Sequence, residues 1–198
     1  GSWHRPGSEL KPEHLLGQQI TMRDALVSSL TLDIFNRQAD RVVMGNIAQL
    51  VNCLHSLFLT DGDKFLLTPT FHVFEMFKPH MGAQSVRAVF NAPKVGYERN
   101  GKPAEFWGLN GSASINGKQL TLTVTNPSLT ESIDATIMIR SARVTAAHAR
   151  VLSTGDIHAH NTFAQPSTVQ PRDETIRPDA SAVRFAPASV TRLQLTLA

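Results

Sequence analysis

The side chain with the most specific chemistry in this sequence is the amide of Gln49, within the run Ala48–Asn52. A side-chain amide donates and accepts hydrogen bonds at the same time, as the recognition of a sugar hydroxyl requires. The run follows Val42–Met44, whose apolar residues are typical of a buried strand that ends at a polar tip. Taken alone, a glutamine at a strand end more often satisfies backbone groups, and that structural interpretation is the favoured one.

Paired carboxylates are the second chemistry to consider, because acid–base and nucleophilic catalysis need two such groups close together. Five glutamates beyond the first predicted helix are scattered through helix, loops and the strand-rich second half. Their spacing brings no two of them together as an acid and a nucleophile. They are Glu75, Glu98, Glu105, Glu131 and Glu174.

The histidines do not form a recognisable metal-binding pattern, so no metal or other cofactor is expected. A structural zinc site needs four ligands, and the chain has one cysteine, Cys53, which lies in an apolar run and predicts a buried, inert thiol. His158 and His160 are a weak candidate pair in a loop. A second group, also without a convincing ligand spacing, is His55, His72 and His80.

A serine nucleophile is also disfavoured. The run 111–115, GSASI, lacks the final glycine of a nucleophile elbow. It also lies within predicted hairpin strands, whereas an elbow joins a strand to a helix. The residues alone therefore identify no catalytic constellation.

Composition argues against two classes of partner. The 198 residues are 41% hydrophobic and 18% charged, which is ordinary for a globular protein of one or two domains. The net charge of +3 comes from scattered cations without a Lys/Arg-rich run, so no nucleic-acid partner is expected. The apolar runs are far shorter than 18 residues, so no membrane span is expected.

The first part of the chain, residues 1–81, is predicted to hold α/β elements. Thr21–Asp24 matches a capping box that opens an amphipathic helix, and the helix ends in the polar stretch 36–40. Val42–Met44 predicts a short strand buried on both faces, as in a parallel sheet. Helix, strand and polar tip are one step of an α/β barrel. A second helix is predicted over Thr70–Lys78.

From residue 82 the runs become short and β-branched, which predicts an all-β sandwich over 82–198. Asn116-Gly117 predicts a type I′ hairpin turn. Leucines and threonines alternate over 118–125, which predicts one buried and one solvated face. A long polar connection is predicted over 153–181. Further strands are predicted over 133–139, 143–152, 183–185 and 190–197. The expected fold class is mostly β with an α/β segment.

Three runs carry a resemblance to a known family: MRDALVSSLTLDIFNRQADRVVMGNIAQLVN (22–52), LTPTFHVFEMFKPHMGA (67–83) and DIHAHNTFAQP (156–166). In this order they resemble the C-terminal part of α-L-arabinofuranosidases of glycoside hydrolase family 51. The first run, with its tip IAQLVN, is the most specific. The similarity extends over nearly all 198 residues.

The resemblance implies the last elements of a (β/α)8 barrel over 1–81 and a jelly-roll β-sandwich over 82–198. It implies release of terminal L-arabinofuranosyl units from arabinoxylan, arabinan and related glycans, with retention of configuration. Enzymes of this kind use two glutamates, need no metal or other cofactor, and many are hexamers. The implied partners are arabinose-containing oligo- and polysaccharides, an upstream barrel portion and further copies of the chain.

The sequence departs from the family pattern at the catalytic glutamates. The acid/base belongs to an Asn-Glu pair, and no such pair occurs in the chain. The nucleophile belongs to a Glu-Trp-x-x-Trp pattern, of which the opening Gly1–His4 fits only the last tryptophan, Trp3. Because both carboxylates are absent, the chain alone is expected to be inactive.

Two substrate-binding positions are implied by the resemblance. Gln49 matches the glutamine that hydrogen-bonds the arabinose in the −1 subsite, and it follows a predicted strand at the end where barrel enzymes build their sites. Trp3 matches an aromatic side chain that walls the sugar pocket. No residue of the chain is assigned a catalytic or metal-binding role.

Two alternatives stay open beside the enzyme. A stand-alone carbohydrate-binding or assembly module would present coplanar exposed aromatics, and the candidates are Tyr97, Phe106 and Trp107. One half of a split enzyme would leave an apolar barrel edge at Val42–Met44 for a separate polypeptide to cover.

Overall fold

Strands dominate the computed structural model, which describes residues 19–177 and 182–198. Within these ranges the helices are α1 (Met22–Arg37) and α2 (Pro69–Phe77), and a 3-10 turn follows α2 at Lys78–His80. No helix among the described residues is long and apolar enough to cross a bilayer. The strands are β1 (Phe58–Asp61), β2 (Lys64–Leu67), β3 (Gln84–Val86), β4 (Val95–Arg99), β5 (Lys102–Phe106), β6 (Asn110–Asn116), β7 (Gln119–Asn126), β8 (Ile133–Ala135), β9 (Val144–Ser153), β10 (Arg172–Ile176), β11 (Val183–Phe185) and β12 (Ser189–Leu197).

Six strands form one antiparallel sheet in the order β10-β9-β12-β7-β6-β3. Strand β12 lies in its interior, with β9 on one side and β7 on the other. Two-stranded sheets form from β1 and β2, β4 and β5, and β8 and β11.

One face of the six-stranded sheet packs against β8, β11 and the connections beside them to form the sandwich core. Val124, Phe185 and Leu193 are almost fully buried there. Burial of side chains of this size contributes roughly 1.5–3 kcal/mol each. The strand predicted over 190–197 is confirmed, and so is the mostly β, sandwich fold class.

The opposite face of the same sheet is covered by α1 and α2. Their apolar residues and those of the sheet form a second core, whose fully buried members include Met22, Val73, Met76, Leu152 and Val190. The helices and the sandwich therefore share one packed interface, built on the sheet's second face.

The solvated face predicted for β7 is wrong, because α1 covers it. Thr121, Thr123 and Thr125 are at most 4% exposed. The Ser29 and Thr125 hydroxyls lie 2.7 Å apart across this interface. The Thr123 and Thr125 hydroxyls can be buried here because Asp33 and Ser29 of α1 pair with them.

Helix α1 begins where the capping box predicts. The Thr21 N–H donates to Asp24 Oδ2 at 2.8 Å, and the Thr21 hydroxyl donates to the same oxygen at 3.0 Å. Helix α2 is capped by Thr68, whose hydroxyl accepts from the Phe71 N–H, and Pro69 occupies its first turn. Both predicted helices are confirmed.

The β6–β7 hairpin lies at the predicted place with a different turn. Asn116 pairs with Gln119, so Gly117 and Lys118 are the two central residues. Only Gly117 has a positive φ, 58°, which is the pattern of a type II′ turn. The predicted type I′ turn, with Asn116 and Gly117 at its centre, is wrong. The central residues lie one position later in the sequence.

Two strand predictions differ in extent. Strand β8 covers Ile133–Ala135, whereas 133–139 was predicted. Strand β10 lies inside the predicted connection 153–181 and pairs with β9. Its sequence, RDETI, shows no apolar alternation because charged residues such as Asp173, an ion-pair partner of Arg150 on β9, form it.

The predicted strand Val42–Met44 does not form in this structure. Val43 is 93% exposed and Met44 is 72% exposed. A strand needs a neighbour to pair its N–H and C=O groups, and none of the described strands lies beside this run. The division of the chain at residues 81 and 82 stays a prediction.

Candidate functional site

Gln49 lies in a loop, residues 45–57, between helix α1 and strand β1. The loop backbone folds back on itself, with the Gln49 N–H donating to Cys53 O at 3.2 Å and the His55 N–H donating to Ala48 O at 2.8 Å. Gln49 is exposed, and within residues 19–177 and 182–198 no group hydrogen-bonds its amide. The backbone is held while the amide is available to a ligand.

Asn52 fastens this loop to strand β1. Its amide nitrogen donates to the carbonyl oxygen of Thr60 at 3.0 Å and to the Thr60 hydroxyl at 2.9 Å. Its side-chain oxygen accepts from the Thr60 N–H at 2.7 Å. Asn52 has a φ of 57°, a conformation in which asparagine is enriched. A parallel bridge from Val51 to Phe58 lies beside this contact.

The far end of the loop is anchored on the N-terminus of α2. His55 Nε2 lies 2.6 Å from Thr70 Oγ1, and the Thr68 hydroxyl donates to Ser56 O at 2.9 Å. Burial lowers the pKa of His55, so its imidazole is neutral at pH 7. The Gln49 loop is therefore tied to both β1 and α2.

An exposed apolar strip accompanies Gln49 on the loop and on the run before it. Exposure of these apolar side chains to water is unfavourable. The strip consists of Val43, Met44, Leu50 and Val51.

A buried polar cluster between α1 and the sheet was missed by the sequence reasoning. Asp33 Oδ1 accepts from the Thr123 hydroxyl at 2.6 Å and from the Ser112 hydroxyl at 2.7 Å. Asn36 Nδ2 donates to the Ser112 hydroxyl at 3.0 Å. The sequence does carry one signal for this cluster. Asp33 lies four residues after Ser29, so the two side chains share the buried face of α1.

His80 completes this cluster from the 3-10 turn. Its Nδ1 lies 2.7 Å from the Ser114 hydroxyl, and its Nε2 lies 3.2 Å from the Thr123 hydroxyl. Burial, with a smaller contribution from the Arg192 charge, lowers the pKa of His80 to about 4. Burial also raises the pKa of Asp33 to about 8, against the opposing effect of its hydrogen bonds.

The sequence profile of the α-L-arabinofuranosidase C-terminal domain matches residues 1–189. The chain belongs to this family. It is similar to an intracellular exo-α-L-arabinofuranosidase of Bacteroides ovatus, with 31% identity over 183 residues that cover 91% of this chain and 35% of that protein. The predicted family resemblance is confirmed.

Two solved structures are similar to this arabinofuranosidase C-terminal domain. The GH51 arabinofuranosidase from Xanthomonas axonopodis pv. citri is 33% identical with a TM-score of 0.82, over 97% of this chain and 38% of that one. The arabinose complex of the Thermotoga maritima enzyme is 24% identical with a TM-score of 0.79, over 91% and 39%, and shows the fold alone. The chain thus spans 35% to 39% of the length of these relatives.

The second substrate-binding position carried over from the family, Trp3, lies outside the described residues. The aromatics considered for a binding module lie on and beside the β4–β5 hairpin of the domain. Trp107 is 57% exposed, but its ring is tilted by 53° from that of Phe106, and Tyr97 lies on β4. These two neighbouring rings do not form the coplanar platform that such a module would present.

The five glutamates among the described residues lie on separate elements or connections, as the sequence predicts. Glu75 is on α2 beside Arg150, and Glu174 is on β10 with Arg172. Glu98 and Glu105 share the β4–β5 hairpin, where Glu105 forms an exposed ion pair with Lys94. Glu131 follows β7, where its carbonyl oxygen accepts from Asn126.

The remaining candidate groups take structural positions. In the described ranges, no three His, Cys, Asp or Glu side chains are grouped to hold a metal. Cys53 is half-buried, more accessible than predicted. Asn161, between β9 and β10, donates to Leu67 O at 2.9 Å and to Val169 O at 3.1 Å, so it anchors this long loop on strand β2.

Proposed function

We propose that this chain is the C-terminal part of a retaining α-L-arabinofuranosidase that releases terminal L-arabinofuranosyl units from arabinoxylan- and arabinan-type glycans. In this proposal residues 1–81 complete a (β/α)8 barrel and residues 82–198 form the jelly-roll sandwich. The observation that carries it is the family match over residues 1–189, with relatives more than twice as long as this chain.

Gln49 is the proposed contact with the arabinose. Its amide is exposed, while the backbone on either side is hydrogen-bonded within the loop and tied to β1 and α2. An amide presented on a fixed backbone can donate to one sugar hydroxyl and accept from another at little cost in ordering. Trp3 is proposed to wall the same pocket.

The exposed apolar strip, Val43, Met44, Leu50 and Val51, is proposed to pack against the rest of the barrel. The strip lies directly before and beside Gln49, so the segment that covers it would also enclose the sugar. The same contact would supply strand partners for Val42–Met44, which lacks them among the described residues.

Without that upstream portion, the chain is proposed to be inactive. Retaining hydrolysis needs a nucleophile that forms a glycosyl-enzyme and an acid/base, with their carboxyl groups about 5–5.5 Å apart. Neither the Asn-Glu nor the Glu-Trp pair that would supply them occurs in this sequence. Gln49 would then orient the sugar for carboxylates carried by the upstream portion.

The test is hydrolysis of an aryl α-L-arabinofuranoside by the chain alone and by the chain mixed with the separately prepared upstream portion of the Xanthomonas relative. We expect no turnover alone and turnover in the mixture. In the active mixture, Gln49→Ala should lower kcat/KM by roughly 10–100-fold, which is the loss of one or two hydrogen bonds to the sugar.

The matched control is Gln170→Ala, an exposed glutamine in the sandwich half, which should leave kcat/KM unchanged. Turnover by the chain alone would contradict the proposed inactivity. Binding of arabinoxylan by the chain alone, with no turnover in a mixture shown to associate, would instead favour a carbohydrate-binding module.

A further inference from the structure

The buried polar cluster between α1 and the sheet contains two ionisable groups, Asp33 and His80. Neither has a part in the proposed sugar contact. The Thr123 hydroxyl lies between them, 2.6 Å from Asp33 Oδ1 and 3.2 Å from His80 Nε2. A hydroxyl has one proton and two lone pairs. Because Thr123 donates that proton to the carboxyl group, it is left to accept a proton from Nε2.

This direction fixes the tautomer of the histidine. With its proton on Nε2, His80 accepts at Nδ1 from the Ser114 hydroxyl, 2.7 Å away. Both ring nitrogens of a neutral imidazole are then satisfied. A second proton would place a positive charge in a half-buried site that already faces the Arg192 charge.

The buried carboxyl group of Asp33 favours its protonated form, whereas the imidazole of His80 favours its unprotonated form. Asp33 is fully buried, and Oδ1 accepts two hydroxyl protons while Oδ2 has no hydrogen-bond partner among the described residues. A buried charged oxygen without a partner is costly, and binding a proton removes the charge. Retaining a proton therefore suits Asp33.

The charged groups around Asp33 and His80 do not reverse these protonation states. On α1, Arg37 is the cation that favours an ionised Asp33, but its guanidinium also donates to Gly111 O at 2.9 Å and to the side chain of Asn110. Strands β6 and β7 present only uncharged hydroxyls to the pair. On β12, Arg192 faces His80 and is itself influenced by charges on other elements, namely Glu75 of α2, Arg150 of β9 and Asp173 of β10.

We propose that Asp33, Thr123 and His80 form a pH-sensitive lock that joins α1 and the 3-10 turn to the sandwich. In the folded protein the carboxyl group holds a proton and the imidazole is neutral. In the unfolded chain at mildly acidic pH, the reverse holds, with an aspartate anion and an imidazolium.

The two groups have opposite effects on stability as pH changes. The pKa of Asp33 is raised to about 8, so its stabilising contribution is complete below about pH 4 and is lost as pH rises to 8. The pKa of His80 is lowered to about 4, so its contribution is complete above about pH 6.5 and is lost as pH falls to 4. The two slopes cancel between about pH 4 and 6.5, and the lock weakens from about pH 6.5 to 8.

The first test compares urea unfolding of the wild-type chain and Asp33→Asn between pH 4 and 9. Asparagine keeps the shape of the acid without its charge. We expect the ratio of the two unfolding equilibrium constants to change about tenfold per pH unit up to pH 8, with the variant relatively more stable at high pH. Asp40→Asn, at an exposed aspartate just beyond α1, should follow the wild type throughout. A ratio independent of pH would overturn the lock.

A second measurement uses the unaltered protein. In NMR titrations, we expect the Asp33 side-chain carboxyl carbon to titrate near pH 8. The His80 ring nitrogens should report a neutral Nε2–H tautomer at pH 5.5. A carboxyl signal that completes its change below pH 5, or a protonated His80 at pH 5.5, would refute the proposal.

Discussion

The Thr123 hydroxyl donates to the Asp33 carboxyl group at 2.6 Å, across 90 residues of sequence. One partner lies on helix α1, in the part of the chain predicted to end a barrel, and the other lies on the sandwich strand β7. The two parts are thus joined by directional hydrogen bonds as well as by the apolar contacts around Met22 and Val73. Such bonds fix the rotation of α1 on the sheet, which apolar burial alone does not.

Thr123→Val should therefore destabilise the fold well beyond the loss of one hydroxyl. It removes one of the two hydroxyls that donate to Asp33 and leaves His80 Nε2 without its partner, for a loss of roughly 2–4 kcal/mol in the free energy of unfolding. The matched control is Thr191→Val, since Thr191 is also buried but its hydroxyl has no partner among the described residues. In urea unfolding at pH 7, Thr191→Val should leave the free energy of unfolding unchanged or raise it. Equal effects of the two substitutions would contradict the role given to Thr123.

Asn126→Ala should be among the most damaging single changes in the sandwich. The amide nitrogen of Asn126 lies 2.8 to 3.1 Å from three carbonyl oxygens, those of Glu131, Phe185 and Ala186, which share its two N–H donors. Its removal leaves these carbonyls unpaired in or near the core, for a loss of roughly 3–5 kcal/mol.

Thermal unfolding would measure the effect of Asn126→Ala. The exposed Asn91 offers a control, as Asn91→Ala should change the midpoint by less than about 2 °C, the scale of a surface substitution. A small shift for Asn126→Ala would mean that water replaces the lost donors.

Gly111→Ala should disrupt the sheet because there is no room for a side chain. A Cβ atom at Gly111 would lie 2.0 Å from the Thr123 carbonyl oxygen and 2.7 Å from the Phe90 ring. Gly96 provides a strand control, because its Cβ would meet nothing within 4 Å. We expect Gly96→Ala to remain folded and Gly111→Ala to lose roughly 3 kcal/mol or more in urea unfolding. A stable Gly111→Ala protein would show that β6 can move away from β7.

Asn52→Ala should loosen the Gln49 loop without unfolding the domain. It removes three hydrogen bonds to Thr60, all on an exposed surface. Hydrogen exchange should show faster exchange of the Thr60 amide, with global stability changed by less than about 1 kcal/mol. The exposed Asn46, substituted in the same way, should leave the Thr60 amide protected. Unchanged exchange in Asn52→Ala would show that β1 holds the loop without Asn52.

Short sequence patterns correctly located the elements that a few adjacent residues determine. Thr21 and Asp24 located the start of α1, and Asn116 with Gly117 located the hairpin, because caps and tight turns are set by a few adjacent residues. The strand at Val42–Met44 was predicted from its apolar pattern and does not form, since a parallel strand depends on partners that no described segment supplies. Strand β10 was missed because its charged residues pair across the sheet.

For the candidate site too, local sequence supports a prediction, whereas contacts between distant segments do not show in the sequence. Gln49 was predicted from the IAQLVN run; the structure shows that its side chain is exposed, and its contact with the sugar stays a prediction. The Asp33 cluster was missed because an aspartate on an amphipathic helix suggests a solvated face. Only the register of β6 and β7 against α1 shows that hydroxyls lie opposite it.

The interior position of β12, the last strand in the sequence, constrains the order in which the molecule can assemble during synthesis. Its partners β7 and β9 precede it in the sequence and do not pair with each other, so the six-stranded sheet stays as two separate halves until β12 has left the ribosome. Helix α1, which precedes all six strands, can find its complete platform only after that step. Until β12 emerges, the chain therefore carries exposed strand edges, a state in which a chaperone that shields such edges would raise the yield of folded protein.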